Sequence, residues 1–418
     1  MKLSKFAGIF ILLILAFPLF SKSSINIVRD FYNVLYLVFF PFKESRTICS
    51  TLQDSIKGEV INNINHWSIT VLDENGTIIS DINGNVPRIP ASNQKLITTA
   101  FALDRLGPSF KLTTSLLADN KGNYVILGQG DPDLDLTSLL KFGKIIVSNS
   151  QEIKTNKLYI SLPETPRSYW WPSTWTSADR LNAYGAPITK LALSSNSSIY
   201  SIKSPLENFI YSLRSQINSI SDSLVLEISS NLSPRSINSY KLLSKSTSAP
   251  LYALIGLANS ESHNFTSEVL LRTAARNWSP QVASYRIKGW LNTLPLPSPG
   301  FLVADGSGLS RSNYVTTNGI SHLLYNMSNH IYKEHYISSL SIIGLRGTLK
   351  DFPASNQLTG RFYGKTGTLT GVRSISGYLK TEYGYKYISV ISNGLSSVEY
   401  TLANILNSIN NNHYCSDG

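Results

Sequence analysis

Two strand patterns near the start of this chain and three near its end bracket everything else, and that arrangement limits the fold more than any other feature of the sequence. Ile69, Val71, Ile78 and Ile79 flank Asp73-Glu74-Asn75-Gly76, and Asn-Gly is a strong turn signal, so residues 67–80 read as a hairpin. Residues 361–367, 374–381 and 385–392 read as three consecutive antiparallel strands, followed by a helix over 398–409. A helix is predicted to open near Ser92, with Leu96, Ile97, Ala100, Phe101 and Leu103 as its apolar face and Gly107-Pro108 as its stop. Helical pattern resumes near Pro250 and continues, with breaks, to about Trp290. A sheet built from both ends of the chain with helices set apart from it is an α+β architecture.

The stretch between these parts has a different character. Residues 107–249 alternate short apolar runs, such as Tyr124-Val125-Ile126-Leu127 and Lys157-Leu158-Tyr159-Ile160, with Ser/Asn-rich turns. It is expected to be a β-rich inserted domain, splitting the principal domain into 47–106 and 250–418. Neither internal repeats nor a nucleotide-binding glycine fingerprint is present.

Lys2 and Lys5 precede an apolar run over residues 6–20, and Ser21, Ser23 and Ser24 follow. Basic start, short apolar centre and small-residue site describe a secretory signal peptide over 1–23, or an uncleaved anchor, and predict export. The run is short for a membrane span, which needs about 20 residues. A second apolar stretch, 31–42, reads either as a membrane-surface anchor or as the first packed helix. The formal charge of +11 fits an anionic partner. Its basic residues are scattered, without a Lys/Arg run or zinc-finger spacing, so an anionic wall or membrane explains the charge as well as nucleic acid does, as does a charge without functional meaning; no nucleic-acid partner is expected. Two cysteines, Cys49 and Cys415, exclude a Cys-rich zinc fold, and the six histidines form no metal motif; no metal and no cofactor are expected.

Three short motifs occur in order: Ser92-Asn93-Gln94-Lys95, Ser262-His263-Asn264 and Lys365-Thr366-Gly367. Each alone is weak. S-x-x-K recurs at Ser138 to Lys141, and S-x-N recurs at Ser24, Ser194, Ser229, Ser236 and Ser408. Together they make chemical sense. Serine is a weak nucleophile at neutral pH and needs an adjacent base. Positions i and i+3 share a helix face, so Ser92 and Lys95 point into one cleft. The helix start favours a developing oxyanion. Lysine acts as a base only when its pKa falls, through burial or a second cation, for which Lys365 is the candidate. Ser262 is placed to relay a proton and Asn264 to hold a substrate amide. Lys365 and Thr366 on an edge strand suit a terminal carboxylate, and Gly367 permits close backbone approach.

The wider strings resemble one family. Pro90-Ala91-Ser92-Asn93-Gln94-Lys95-Leu96, Gly128-Gln129-Gly130-Asp131-Pro132 and Tyr184-Gly185-Ala186-Pro187 are followed by Ser262-His263-Asn264 with Glu268 and Leu270-Leu271-Arg272. Then come Asp305-Gly306-Ser307-Gly308-Leu309-Ser310-Arg311, Gly347-Thr348-Leu349, Gly364-Lys365-Thr366-Gly367-Thr368-Leu369 and Ser376-Gly377-Tyr378. Over residues 85–395 the chain is similar to the class C low-molecular-mass penicillin-binding proteins, the D-alanyl-D-alanine carboxypeptidase/endopeptidase family. The resemblance implies a serine β-lactamase/DD-peptidase-like domain. It implies Ser92 as the acylated nucleophile with Lys95 as general base, and an oxyanion hole from the backbone N–H groups of Ser92 and Thr368. Ser262, Asn264, Lys365 and Thr366 would complete the cleft, while Asp305, Gly306 and Gly308 would form a structural turn. Peptidoglycan peptides would be the substrates, β-lactams the covalent inhibitors, and the periplasm or the outer face of the cytoplasmic membrane the location.

Two departures from the family pattern stand out. The span from Lys95 to Ser262 is short for two inserted domains. Where an aspartate that helps bind a diamino acid is expected, Ser161 stands, with Glu164 nearby. A β-lactamase-like hydrolase and a catalytically inactive wall-binding protein remain open as alternatives.

The resemblance also implies that the terminal helices lie side by side, which would bring Cys49 to Cys415, and an exported chain meets an oxidising compartment. The expected outcome is a Cys49–Cys415 disulfide. It is checked by peptide maps with and without reductant; both thiols alkylatable before reduction would exclude it.

Overall fold

A computed structural model describes residues 22–39, 42–153, 155, 157–230, 239–297 and 301–412. Six strands form the main antiparallel sheet in the order β10-β11-β12-β13-β1-β2. These are β1 (Trp67–Leu72), β2 (Ile78–Ile82), β10 (Ser341–Ile342), β11 (Phe362–Leu369), β12 (Val372–Thr381) and β13 (Gly384–Asn393). The seam between the two ends of the chain is β1 against β13, running from Trp67 opposite Ser392 to Leu72 opposite Tyr387. The predicted hairpin turn forms, with Asp73 Oδ1 accepting from the backbone N–H groups of Asn75 and Thr77.

Strand alternation sends successive side chains to opposite faces. Ile69, Val71, Ile388 and Val390 pack against α2 (Ser50–Val60) and α11 (Glu399–Asn411), which contribute Leu52, Ile56, Val60, Leu402, Ile405, Leu406 and Ile409. Leu72, Ile78, Tyr378, Tyr387 and Ile391 belong to a second, larger core on the other face. That core is filled by α3 (Gln94–Leu106), α6 (Leu251–Asn259), α7 (Asn264–Ala274), α8 (Pro280–Leu291) and α9 (Thr317–Ser328). Two short elements, α10 (Lys333–Ser338) and the strand pair β8 (Phe301–Leu302) and β9 (Tyr314–Val315), complete this layer. Gly107, at φ +78, ends α3 as expected of a C-cap glycine.

The middle of the chain builds a separate core around a five-stranded sheet, ordered β6-β5-β4-β3-β7. Its strands are β3 (Thr113–Ala118), β4 (Asn123–Leu127), β5 (Lys157–Ser161), β6 (Val225–Ser229) and β7 (Lys241–Thr247). Two helices, α4 (Leu136–Glu152) and α5 (Pro205–Asn218), were not anticipated among the β-rich runs. They are required by the topology. β4 pairs with β5, and β5 with β6, in parallel, and a parallel neighbour needs a crossover. Leu139, Phe142 and Ile146 of α4 sit at helical spacing and meet Phe209, Leu213 and Ile217 of α5 over this sheet.

A first helix, α1 (Lys22–Phe39), precedes α2, and residues 1–21 of the predicted signal segment lie outside the described residues. Among the described residues no helix is long and apolar enough to cross a membrane. α2 and α11 lie side by side, linked by Asn404 Nδ2 donating to Glu59 Oε2 at 3.0 Å. Cys49 sits at the N-terminal end of α2 and is disulfide-bonded; Cys415 lies outside the described residues.

Ile405 is fully buried where α11 meets the sheet. Ile405→Ala is expected to lower unfolding free energy by about 2–5 kcal/mol through the cavity it leaves. Denaturant titration checks this; a change below about 0.5 kcal/mol would mean that α11 does not pack here.

Candidate active site

Three separate elements deliver the three motifs to one place. Ala91, at φ +48, opens a 3-10 turn over Ala91–Asn93 that runs directly into α3. Ser92 therefore sits in a tight turn before the helix rather than in its first α-turn. This turn is clamped to the main sheet. Asn93 Nδ2 donates to Ser376 Oγ at 2.7 Å, Ser376 Oγ donates to Ser389 Oγ at 2.8 Å, and Ser374 Oγ donates to the Pro90 carbonyl at 2.7 Å. A Cβ on Gly367 would fall 2.2 Å from Ser374 Oγ, 2.7 Å from the Pro90 carbonyl and 3.0 Å from Ser92 N. The glycine of K-T-G thus makes room for the Ser92 turn itself, where sequence reasoning assigned that room to substrate backbone.

Lys95 is fully buried, and its amine makes three contacts. Nζ lies 3.0 Å from Ser92 Oγ, 2.7 Å from Asn264 Oδ1 and 2.6 Å from the Ser307 carbonyl. A neutral amine has two N–H groups and one lone pair. Asn264 and Ser307 take the two hydrogens, which leaves the lone pair for the Ser92 hydroxyl. Burial holds the Lys95 pKa down to about 7, against the opposing pull of Asp305 and Glu268. Ser262, at φ +60, donates from Oγ to Ser92 Oγ at 3.1 Å. The Ser92 hydroxyl therefore has a proton acceptor on one side and a second hydroxyl on the other, the arrangement needed to activate a nucleophile and pass its proton onward.

Asn264 is used at both ends, since its Nδ2 donates to the Tyr184 carbonyl at 3.0 Å. It anchors the middle segment as well as the lysine, and it lines the cleft where the substrate-holding role read from the sequence would act. Lys365 also differs from expectation. It is fully buried, donates to the Thr366 carbonyl at 2.8 Å, and is held well below the usual lysine range by burial and then by the charge of Lys95. Burial, not a second cation, lowers Lys95. Thr366 Oγ1 donates to Thr348 Oγ1 at 2.7 Å. Thr368 is exposed on the cleft, and β10 pairs with β11 only at Tyr363 and Gly364, so the edge over 365–369 is unpaired on that side among the described strands.

The turn around Asp305 closes the base of the site. Asp305 accepts from the N–H groups of Gly308 and Ser310, from Asn313 Nδ2 and from Trp175 Nε1, all at 2.7–2.8 Å. Glu268 Oε1 accepts from Gly306 N at 2.8 Å and Ser307 N at 2.9 Å. Gly308, at φ +82, lies so close to the Ser92 turn that a Cβ would fall 1.9 Å from the Ala91 carbonyl.

A cleft of about 850 Å³ opens over Ser92, Ser262 and Asn264. Thr174, Thr176 and Asp179 line it from the middle segment, with Arg311 and Arg373 opposite. Sequence reasoning missed these, and missed Trp175. The signal present was the concentration of Trp170, Trp171 and Trp175, half of the chain's six tryptophans, in one short stretch. Ser161 ends β5 away from this cleft, and Glu164 lines a different, small cavity beside Trp170. The decoy Ser138-to-Lys141 motif lies on α4, where Ser138 N is capped by Asp135. Among the described residues no group of His, Cys, Asp and Glu could hold a metal ion.

Because the reactive form of Lys95 is the neutral one, Ser92 modification by an acylating probe is expected to accelerate as pH rises through about 7 and to level off above it. Rates measured from pH 5 to 10 check this. A midpoint near the ordinary lysine value of 10.5 would contradict the buried neutral amine.

Comparison with known proteins places this site in context. The chain is 23% identical over 389 residues to the penicillin-sensitive carboxypeptidase A of Dictyostelium discoideum, covering 69% of this chain and 74% of that protein. It is 29% identical over 174 residues to the D-alanyl-D-alanine carboxypeptidase DacB of Haemophilus influenzae, covering 40% of this chain and 36% of that protein. The crystal structure of penicillin binding protein 4 (dacB) from Haemophilus influenzae superposes with a TM-score of 0.73 at 19% identity, over 86% of this chain and 99% of that one, a likeness of fold. With the family pattern matched over residues 52–220 and 219–409, the chain belongs to the D-Ala-D-Ala carboxypeptidase 3 (S13) family.

Proposed function

We propose that the chain is a serine D-alanyl-D-alanine carboxypeptidase or endopeptidase that acts on peptidoglycan stem peptides through an acyl-enzyme on Ser92. The observation that carries this reading is the junction of Ser92, Lys95 and Ser262. Neutral Lys95 takes the Ser92 proton as Oγ attacks the carbonyl of the penultimate D-alanine. The N–H groups of Ser92 and Thr368 receive the oxyanion, and Ser262 passes a proton to the departing amine. The free edge of β11 over 365–369 suits an extended peptide lying as an added strand. The terminal carboxylate of the substrate would sit towards Lys365 and Thr366, and its negative charge would favour the charged form of Lys365, which burial disfavours. Residues 107–249 act in this reading as one domain inserted into a catalytic domain of 47–106 and 250–418. The place of action is the periplasm or the outer face of the cytoplasmic membrane.

One feature weighs against fast penicillin turnover. Asp179 is the single carboxylate among the cleft-lining residues, and Thr176 N and Oγ1 both donate to it, at 3.1 and 2.6 Å. Among the described cleft-lining residues no other carboxylate is present to activate a water against the acyl-enzyme.

A fluorescent penicillin is therefore expected to give a lasting adduct that maps to Ser92, with none on Ser92→Ala. A synthetic peptide ending in D-Ala-D-Ala is expected to release D-alanine. Lys95→Arg cannot lose its proton at working pH and is expected to slow acylation by about 100-fold or more. An adduct on another serine would sink the assignment; rapid turnover of the adduct would favour the β-lactamase-like alternative.

A further inference from the structure

The first helix is joined to the body of the protein by its polar side. On α1, Asn26, Arg29, Asp30 and Asn33 share one face at helical spacing. Arg29 Nη2 lies 2.7 Å from Asp104 Oδ2, Arg105 Nη2 lies 2.5 Å from Asp30 Oδ2, and Asn26 Nδ2 donates to the Arg105 carbonyl at 3.4 Å. Asp104 and Arg105 belong to the last turn of α3, so this contact is made to a fixed element of the main core. A second stripe, Ile27, Phe31, Val34 and Val38, runs about 120° round the helix from that face and is apolar throughout. These four residues are 68, 70, 44 and 69% exposed, and Tyr32, Tyr36 and Phe39 beside them are also exposed. An amphipathic helix on a water-soluble body normally does the reverse, turning its apolar stripe inward.

Next to this stripe runs a cleft of about 710 Å³, and Ile27 lines it as well. Arg105, Arg276, Arg286 and Lys288 are its cations, and Asp30 is its one acid. The apolar stripe and the cationic cleft are thus continuous on one side of the molecule. The sequence leading into α1 carries the apolar run over 6–20 behind Lys2 and Lys5, so the same stretch of chain is rich in lipid-compatible residues on both sides of Lys22.

We propose that α1 seats the protein on an anionic lipid bilayer, with Ile27, Phe31, Val34 and Val38 entering the boundary between headgroups and acyl chains and the cationic cleft facing the headgroups. An interfacial helix of this kind binds through buried apolar area together with attraction to anionic lipid. Tyr32 and Tyr36 suit the headgroup level, where amphipathic rings gather. A second copy of the chain fits this face less well. A two-fold interface uses the same patch on both subunits and would bring two cationic clefts into one contact. The proposal concerns a different surface from the Ser92 cleft, and its failure would leave the acyl-transfer reading untouched.

The test is co-sedimentation of the full chain with vesicles of phosphatidylglycerol and phosphatidylcholine, and with phosphatidylcholine vesicles alone. The chain is expected to pellet with the anionic vesicles, less so in high salt. The variant Ile27→Ser, Phe31→Ser, Val34→Ser, Val38→Ser is expected to bind at least 10-fold more weakly while keeping its circular dichroism and its rate of acylation by penicillin. Arg276→Gln with Lys288→Gln is expected to weaken binding to anionic vesicles only. Equal pelleting of the fourfold variant would overturn the proposal. So would a chain that stays in the supernatant and instead forms dimers that the fourfold variant abolishes.

Discussion

A lysine amine withdrawn from water loses its proton readily, and the arrangement around Ser92 depends on that single desolvation. Lys95 is enclosed by parts of the chain that have no sequence proximity: the 3-10 turn before α3, the start of α7, and the Ser307 carbonyl of the Asp305 turn. The last two supply the acceptors for the amine hydrogens, the first supplies the Ser92 hydroxyl that meets the lone pair, and together they leave no room for solvent. Loosening any one would readmit water, raise the pKa and remove the base. The glycines at 308 and 367 make the enclosure feasible, because each lets another backbone come closer than a side chain would allow.

A buried ionic pair keeps these parts in register. Glu268 and Arg272 lie one turn apart on α7, fully buried, with Oε2 and Nη2 4.0 Å from each other. Burial pushes the Glu268 carboxyl up to about 7 and the Arg272 guanidinium down to about 10. Such a pair is costly to desolvate, and it is only partly satisfied here, since Glu268 Oε2 and Arg272 Nε and Nη2 make no hydrogen bond among the described residues. Glu268 holds the Gly306 and Ser307 N–H groups, while Arg272 Nη1 reaches the carbonyls of Tyr169, at 2.7 Å, and Ile188, at 3.4 Å. α7 therefore fastens the turn behind Lys95 on one side and the middle segment of the chain on the other. Asp305 and Trp175 make a second link between the same two parts.

What could be read from the sequence was what side-chain type encodes. Period-two alternation gave β1 and the three late strands within a residue or two at most ends, and glycine with proline gave the end of α3. The three motifs announced their residues, and Ser92, Lys95, Ser262 and Asn264 do meet. The features that escaped are backbone features or consequences of topology. The carbonyls of Ser307 and Tyr184 leave no trace in residue type, and the positive φ of Ala91 and Ser262 is imposed by tertiary contact on residues with no preference for it. α4 and α5 were hidden because short apolar runs do not distinguish a strand from a buried helix face. The downward shift of Lys365 follows from how deeply it is buried, which spacing does not reveal.

The helix that begins at the nucleophile's turn also ends at the contact with α1. From Lys95 to Arg105 it rises about 15 Å at 1.5 Å per residue, and both ends are fixed, one by the three contacts of the Lys95 amine and the other by two ion pairs. α3 is therefore a spacer of set length. If α1 rests on a lipid surface, the turn that carries Ser92 is tied to that seat through a rigid helix and not through a flexible linker, so the cleft keeps one orientation relative to it. Each residue inserted into or deleted from α3 would turn the α1 contact relative to the Ser92 turn by about 100°.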